Sequence, residues 1–193
     1  MRFFLFVMTT VALFSCGNSS NGGGGAAMNL DGFISEDLGG GVSRVFKKSG
    51  ENYTEIGFLS GGVKNGVWVT YYDGDEAGKI KTATSFSNGN LNGPHYEYNN
   101  RGQIETETNY ANGKKHGRYA KYKFGRPNEE KYFANDELDG TSTTFFQDGE
   151  VQQIINYKNG LQHGEMKWFN EEGKMVMAYE YKNGKKVSGG MVK

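Results

Sequence analysis

The sequence predicts an all-β protein, built as one elongated, twisted antiparallel sheet of about six consecutive β-hairpins. Composition is the first reason: Gly is frequent (30 of 193 residues), Pro is rare (2), and Tyr and Phe supply most of the 14% aromatic content. Such a composition favours short strands separated by tight turns. The other two reasons are periodic. Asn-Gly pairs recur about every 24 residues and aromatic residues about every 12, which suits one strand and one turn per aromatic.

The first 15 residues are predicted to be a signal peptide and not part of the fold. Arg2 is followed by about a dozen mostly apolar residues, a run too short to span a bilayer as a helix. The run ends at Leu13-Phe14-Ser15-Cys16, which resembles a bacterial lipoprotein signal. That resemblance implies cleavage before Cys16 and a lipid on its side chain. The alternative is an ordinary secretory signal followed by a chance cysteine.

Residues 16–40 are predicted to be a flexible tether between the lipid and the folded body, because the segment begins with Gly, Ser and Asn. Short apolar pieces, such as Met28 to Leu30 and Gly32 to Ile34, could dock on that body. The predicted location is therefore outside the cytoplasm, on a bacterial membrane. We expect the outer membrane facing the periplasm, with the cell surface as the alternative.

The repeat domain is predicted to span residues 41–184 and the C-terminal tail residues 185–193. Asn-Gly or Asn-Asp pairs mark the joins between repeats, each of the first four followed after four residues by a second glycine. The pairs are Asn88-Gly89, Asn112-Gly113, Asn135-Asp136, Asn159-Gly160 and Asn183-Gly184, and the second glycines are Gly93, Gly117, Gly140 and Gly164. Asn65-Gly66 is taken as the end of an earlier copy, and the stretch containing Pro127 predicts an irregular turn or bulge.

A ladder of aromatic residues runs through these repeats. Its members are Phe86, Tyr98, Tyr110, Tyr122, Phe133, Phe145, Tyr157, Phe169 and Tyr181, with Tyr71 preceding them. Because side chains alternate along a strand, we expect the ladder to occupy one face of the sheet. At the other positions of the repeat, successive copies have residues of mixed polarity, so no thick core between two sheets is expected.

The pattern Y-x-N-G-x-x-x-G-x-x-x-x-Y/F, followed by a turn containing Gly, resembles the MORN-repeat variant of bacterial proteins across residues 60–184. The resemblance implies consecutive hairpins joined in one antiparallel sheet. Some members of that group are antitoxin-like, which implies a second candidate function, the neutralisation of a toxin. Asp136 and Ser188 replace glycines of the pattern.

No catalytic or metal-binding pattern emerges from the sequence, and neither a cofactor nor an enzymatic activity is expected. His116 and His163 occupy the same slot in repeats two apart, too distant to share a metal ion, and His95 lies elsewhere. Nucleophile, zinc and phosphate-loop motifs are missing from the sequence. Lys plus Arg equals Asp plus Glu, at 22 each, which argues against a nucleic-acid partner because phosphate binding needs a basic excess.

What remains is a surface of aromatic residues expected on the face opposite the ladder. It comprises Trp68, Tyr72, Tyr119, Tyr132, Phe146 and Trp168. Such side chains anchor protein partners or stack on sugars, although they could also cover the second face of the sheet. The sequence therefore predicts a non-enzymatic, lipid-anchored envelope scaffold that binds a protein or a glycan. The antitoxin or immunity function is the alternative.

Overall fold

The computed structural model describes residues 27–192, so the predicted signal peptide and Cys16 lie outside the described residues. The described chain is all-β apart from one 3-10 turn at Gly74–Glu76. The strands are β1 (Phe33–Gly39), β2 (Val42–Ser49), β3 (Asn52–Ser60), β4 (Val63–Tyr71), β5 (Ile80–Ser87), β6 (Asn90–Tyr98), β7 (Ile104–Ala111), β8 (Lys114–Lys123), β9 (Arg126–Ala134), β10 (Glu137–Phe145), β11 (Val151–Lys158), β12 (Leu161–Phe169), β13 (Met175–Lys182) and β14 (Lys185–Met191).

All 14 strands form one open antiparallel sheet in which spatial order equals chain order, from β1 to β14. The predicted fold class, consecutive hairpins in one sheet, is confirmed. The sheet has two strands more than the expected twelve. One of them, β1, lies in the segment predicted as tether, and the other, β14, lies in the predicted C-terminal tail. Among residues 27–192, no helix is long and apolar enough to cross a membrane.

Two kinds of turn alternate along the sheet. Two-residue turns at the Asn-Gly and Asn-Asp pairs have positive φ at both positions, for example 50° at Asn112 and 82° at Gly113. This is the type I′ turn, whose twist matches that of the flanking strands. The connections on the other edge are five-residue loops at 99–103, 146–150 and 170–174, a longer segment at 72–79, and two-residue turns at 50–51 and 124–125. We call the edge with the Asn-Gly and Asn-Asp turns the short-turn edge and the other the long-turn edge.

Hydrogen bonds join each two-residue turn at an Asn-Gly or Asn-Asp pair to the preceding repeat. The N–H of Gly113 donates to the carbonyl of Leu91 at 2.8 Å, and the N–H of Gly160 donates to that of Leu138 at the same distance. Side chains add to these bonds: Asp139 Oδ2 accepts from the Asn159 N–H at 3.1 Å. Neighbouring repeats are therefore coupled directly through their turns, as expected where stability is a nearest-neighbour sum.

The Asn65-Gly66 pair is not a turn, contrary to the sequence-based expectation. It lies inside β4, and the turn of that copy is Gly61-Gly62. Gly66 corresponds instead to the second glycines, which share a positive φ and a place opposite an aromatic residue on the next strand. The pairs are Gly66 with Phe86, Gly93 with Tyr110, Gly117 with Phe133, Gly140 with Tyr157 and Gly164 with Tyr181. A cross-strand aromatic compensates for the side chain that each glycine lacks.

The aromatic ladder does not occupy one face, and that expectation is wrong. The Tyr122 hydroxyl donates to Glu107 at 3.2 Å, so Tyr122 and Glu107 share a face. Tyr110 follows Glu107 by three residues in a regular part of β7, and it therefore lies on the opposite face. The reason is geometric. Ala111 pairs with Lys114 across a two-residue turn, so an odd-numbered residue on one strand shares a face with even-numbered residues on the next strand. An interval of 12 therefore reverses the face, and an interval of about 24 restores it.

Burial is concentrated at the N-terminal end of the sheet. The largest group of buried apolar residues is Val45, Ile56, Leu59 and Trp68. Met28, Leu30 and Phe33 pack against it, so this part of the predicted tether covers the end of the array. Beyond this cluster, the buried hydrophobic residues are Ala120 and Met166, as expected for a single sheet.

Candidate ligand-binding edge

The candidate site lies on the long-turn edge, where one repeat differs from its neighbours. Between β8 and β9 the usual loop is replaced by a two-residue turn, Phe124-Gly125, with φ of 53° and 77°. This is the type I′ pattern of the opposite edge. The predicted irregularity near Pro127 takes the form of a bulge beside a regular turn, because the pairing shifts between Lys121 and Tyr122.

Phe124 is strained and exposed at the same time. The described chain has seven non-glycine residues with positive φ, and six of them are Asn or Asp. A bulky residue is disfavoured in this region because its Cβ approaches the following carbonyl. Its side chain is nevertheless 71% exposed, so burial does not compensate for the strain. Strained, exposed residues of this kind cluster at functional sites.

Two shallow grooves flank Phe124. The first has a volume of about 160 Å³ and is lined by residues of β8, β9 and the loop after β10, among them Lys123, Arg126, Asn128 and Phe146. The second, of about 190 Å³, is lined by the loop before β7 and the end of β8, including Arg101, Glu105 and Tyr122. Lys123 and Phe124 line both grooves, so the hairpin tip forms a ridge between them.

Cationic side chains are concentrated around this ridge. The first groove has Lys123 and Arg126 and no acidic residue in its lining. Arg126 is fixed by its Nη1, which donates to the carbonyl of Asp148 at 2.9 Å, while the Lys123 ammonium lies 5.7 Å from the centre of the Phe124 ring. In the second groove, Arg101 and Lys123 outnumber Glu105. The edge thus offers an aromatic ring between positive charges.

Asn128 lines the first groove and has one unsatisfied polar atom beneath its surface. Its Oδ1 is buried and has no hydrogen-bond partner. Asn128 is the extra residue of the bulge in β9, because Tyr122 pairs with Pro127 and Lys121 with Glu129. A buried polar group without a partner is rare in folded proteins and calls for an explanation. Because the Oδ1 atom is shielded from solvent, a ligand in the groove would not reach it without a rearrangement of the side chain.

The six aromatics predicted to bind a partner do not form one surface. Trp68 is buried, with 5% exposure. Tyr119 and Trp168 are half-buried on the same face as Phe133 and Tyr179, which they contact edge-on at 6.3 and 6.2 Å between ring centroids. Tyr132 lies on the opposite face, since it pairs with Arg118. Tyr72 is in the loop after β4, where its hydroxyl donates to the carbonyl of Tyr98 at 2.5 Å. Phe146 alone lines a groove at Phe124.

A charged cluster on the face that carries Tyr122 supports the β8–β9 hairpin. Arg118 donates to Glu107 at 2.6 Å and to Glu130 at 2.5 Å, and both of its terminal nitrogens lie 3.3 Å from the Tyr122 hydroxyl. Although burial opposes its charge, hydrogen bonds to Glu130 and Tyr122 raise the pKa of Arg118 above its usual value. The cluster ties together β7, β8 and β9, and its polar groups are engaged with one another.

Neither the histidines nor the acidic residues of the described chain form a metal centre. Residues 27–192 contain no group of three or more His, Cys, Asp or Glu side chains able to hold an ion. His95 Nδ1 lies 2.8 Å from the Thr84 hydroxyl, and His163 Nδ1 lies 3.1 Å from Asn183 Oδ1. Both contacts join adjacent strands or turns, which is a structural role.

Comparison with known protein families gives a match to part of the repeat array. The family described as MORN repeat variant matches residues 138–159 and 162–183, two adjacent repeats. The matched units correspond to β10–β11 and β12–β13, and each follows a two-residue turn, Asn135-Asp136 and Asn159-Gly160 respectively. No curated protein matches the sequence.

Two of the solved structures that match the chain are forms of one protein. One is S. aureus TarM in a mutant form in complex with Fondaparinux, alpha-GlcNAc-glycerol and UDP, with 13% identity, a TM-score of 0.28 and coverage of 81% of this chain. The other is TarM, with the same identity and TM-score and 82% coverage. This chain spans 21% of the length of each. At this level of similarity they carry no functional argument.

Proposed function

We propose that the protein is a non-enzymatic repeat scaffold, anchored to a bacterial membrane through a lipid on Cys16, that captures an envelope component at the Phe124 edge. The observation that carries the binding role is Phe124 itself, an exposed aromatic residue held at a positive φ between two grooves. Lipid attachment is supported by the Leu13 to Cys16 sequence.

The course of the described N-terminal segment is compatible with this arrangement. The N–H of Met28 donates to the carbonyl of Gly62 at 3.1 Å, so the chain enters the structure at the short-turn edge. Phe124 lies at the opposite edge. A strand of nine residues spans about 30 Å, and this distance would separate the anchored edge from the binding edge. An anchored array would thus present Phe124 away from its point of attachment.

The anchor is tested by mass spectrometry of the protein purified from membranes. The expected product begins at Cys16 and carries lipid on that residue. A Cys16→Ser variant should be released from membranes, since a stable anchor requires the acyl chains. A soluble wild-type product with an unmodified Cys16 would rule out the lipoprotein assignment.

The binding role is tested by crosslinking in whole cells, with Phe124→Asn as the variant and Tyr53→Asn as the control. Tyr53 is also exposed, and the Lys48 ammonium lies 5.9 Å from its ring centre, but it lines neither groove. We expect crosslinked species to disappear in Phe124→Asn and persist in Tyr53→Asn. A captured toxin, inactivated on binding, would favour the antitoxin alternative, which otherwise depends on the MORN resemblance alone.

A further inference from the structure

We infer that the ligand at the Phe124 edge is a polysaccharide bearing carboxylate groups, with one sugar unit in each groove and the Phe124 ring between them. This inference rests on the proposed function and gives its binding site a chemical class of ligand. Three features carry it: the size of the grooves, their charge and the absence of a free strand edge beside the ridge.

Groove size favours a chain of small units over a single enclosed molecule. Small-molecule sites usually occupy about 300–1,000 Å³ and bury most of the ligand. The two grooves are smaller, at about 160 and 190 Å³, and both are shallow. They are also adjacent, because Lys123 and Phe124 belong to both linings. A linear polymer that crosses the ridge can fill both grooves.

The side chains of the ridge match an anionic sugar. An exposed aromatic ring offers a flat apolar surface for the C–H face of a pyranose, as aromatic side chains do at many interfaces. Lys123 and Arg126 are placed to meet a carboxylate in the first groove, whose lining lacks acidic residues. Arg101 can do the same in the second groove, where Glu105 reduces but does not cancel the positive charge.

An acidic peptide fits the edge less well. Extended peptides commonly bind by adding a strand to an exposed sheet edge. Both β8 and β9 are paired on each side, with β7 and β10 as their outer neighbours, so no backbone edge is free next to Phe124. The available contacts come from side chains, which suits a ligand recognised by ring stacking, hydroxyl groups and charge.

The test is calorimetric titration of the full chain, purified in detergent, with an oligogalacturonate. Its methyl ester, with the same rings and no charge, and an oligoglutamate peptide of similar length serve as comparison ligands. We expect the oligogalacturonate to bind, with an affinity that falls as salt increases. The ester should bind at least about tenfold more weakly, since the ion pairs are lost.

Variants place the binding at the ridge. Phe124→Asn retains a residue suited to the turn and should lower affinity at least about tenfold, as expected for a central aromatic anchor. Lys123→Gln should weaken the binding of the oligogalacturonate without affecting the binding of its methyl ester. Tyr53→Asn and Lys48→Gln remove a similar aromatic–cation pair elsewhere and should leave binding unchanged.

Three results would overturn the inference: no binding of oligogalacturonate, equal binding by Phe124→Asn, or equal binding of the oligoglutamate through Phe124. The scaffold function has a separate outcome. If Phe124→Asn abolishes crosslinking in cells while oligogalacturonate fails to bind, the Phe124 edge captures a different ligand, and only the polysaccharide assignment is wrong.

Discussion

The indole of Trp68 lies directly against Gly57, so closely that a Cβ atom at residue 57 would be 2.5 Å from its Cδ2 atom. The indole Nε1 donates to the carbonyl of Phe58 at 3.0 Å. β3 and β4 pair only near their shared turn, and beyond it Trp68 fills the space between them. The absence of a side chain at residue 57 is what permits this packing.

Gly57→Ala should therefore lower the free energy of unfolding by about 1–3 kcal/mol, the usual cost of overpacking a filled site. The ring is large and buried, so it cannot yield without disturbing Val45 and Leu59. Gly190→Ala is the control, because an added Cβ there meets nothing within 4 Å. Urea denaturation of both variants measures the difference. Equal stabilities would show that Trp68 is free to move.

Phe124→Asn should raise the free energy of unfolding by about 1 kcal/mol, since Asn tolerates positive φ better than a bulky residue. The reciprocal change, Asn159→Phe at φ 50°, should lower it by a similar amount. Thermal denaturation of the pair checks both signs. A destabilised Phe124→Asn variant would indicate that the Phe124 ring makes stabilising contacts in the free protein.

Arg118→Met should destabilise the protein by about 1–3 kcal/mol at neutral pH, because Glu107 and Glu130 lose the cation between them. The figure is below the range for fully buried pairs, as Arg118 is 28% exposed. Lys121→Met, on the other face of the same strand, should change stability by under about 0.5 kcal/mol. Adding Glu130→Gln to Arg118→Met should recover part of the loss, and the absence of such recovery would contradict the electrostatic explanation.

Alkaline pH should destabilise the fold through Tyr96, Tyr110 and Tyr119. Burial is the main cause that raises the pKa of each phenol above its usual value of 10.0. In the unfolded chain these groups lose protons first, so the stability they contribute is complete below pH 10 and decreases as pH rises through the folded pKa. Burial lowers the pKa of Lys64. The contribution of Lys64 to stability therefore increases as pH rises, opposite to that of the three tyrosines.

The experiment is to follow phenolate absorbance and unfolding together between pH 9 and 12, a range chosen to bracket the usual phenol pKa of about 10. Tyr119→Phe should reduce the loss of stability above pH 10. Tyr53→Phe, at an exposed phenol, serves as the control for the loss of one hydroxyl group. Tyrosines that titrate alike in native protein and in urea would contradict the expected shift.

The repeat and its turns were predictable from sequence because Asn-Gly has a strong local preference for type I′ turns. The same preference misled at Asn65-Gly66, where tertiary pairing places the dipeptide inside β4. The strand β1 was missed because its residues begin in a segment rich in Gly and Asn. Its formation depends on pairing with β2, which no local pattern reveals.

The side of the sheet on which each aromatic residue lies follows from the length of the turns. It could be deduced only once the Asn-Gly turns were known to contain two residues. Phe124 was not predicted as a site residue. The available signal was the Phe-Gly pair in "KFGRP", where neighbouring repeats have a longer loop. The strain becomes evident only from the backbone geometry, and the grooves form only when β6–β7 and β10–β11 loops lie on either side of Phe124.

Across each two-residue turn, an odd-numbered residue pairs with an even-numbered one. This rule limits how the gene for such a repeat protein can change in length. Gain or loss of a 24-residue unit by recombination between Asn-Gly codons preserves every downstream face and turn edge. A 12-residue duplication would instead exchange the two faces and place a loop where a tight turn belongs. Copy number can therefore vary in whole hairpins, and each hairpin added before β8 would move Phe124 about 10 Å farther along the sheet from the N-terminal attachment.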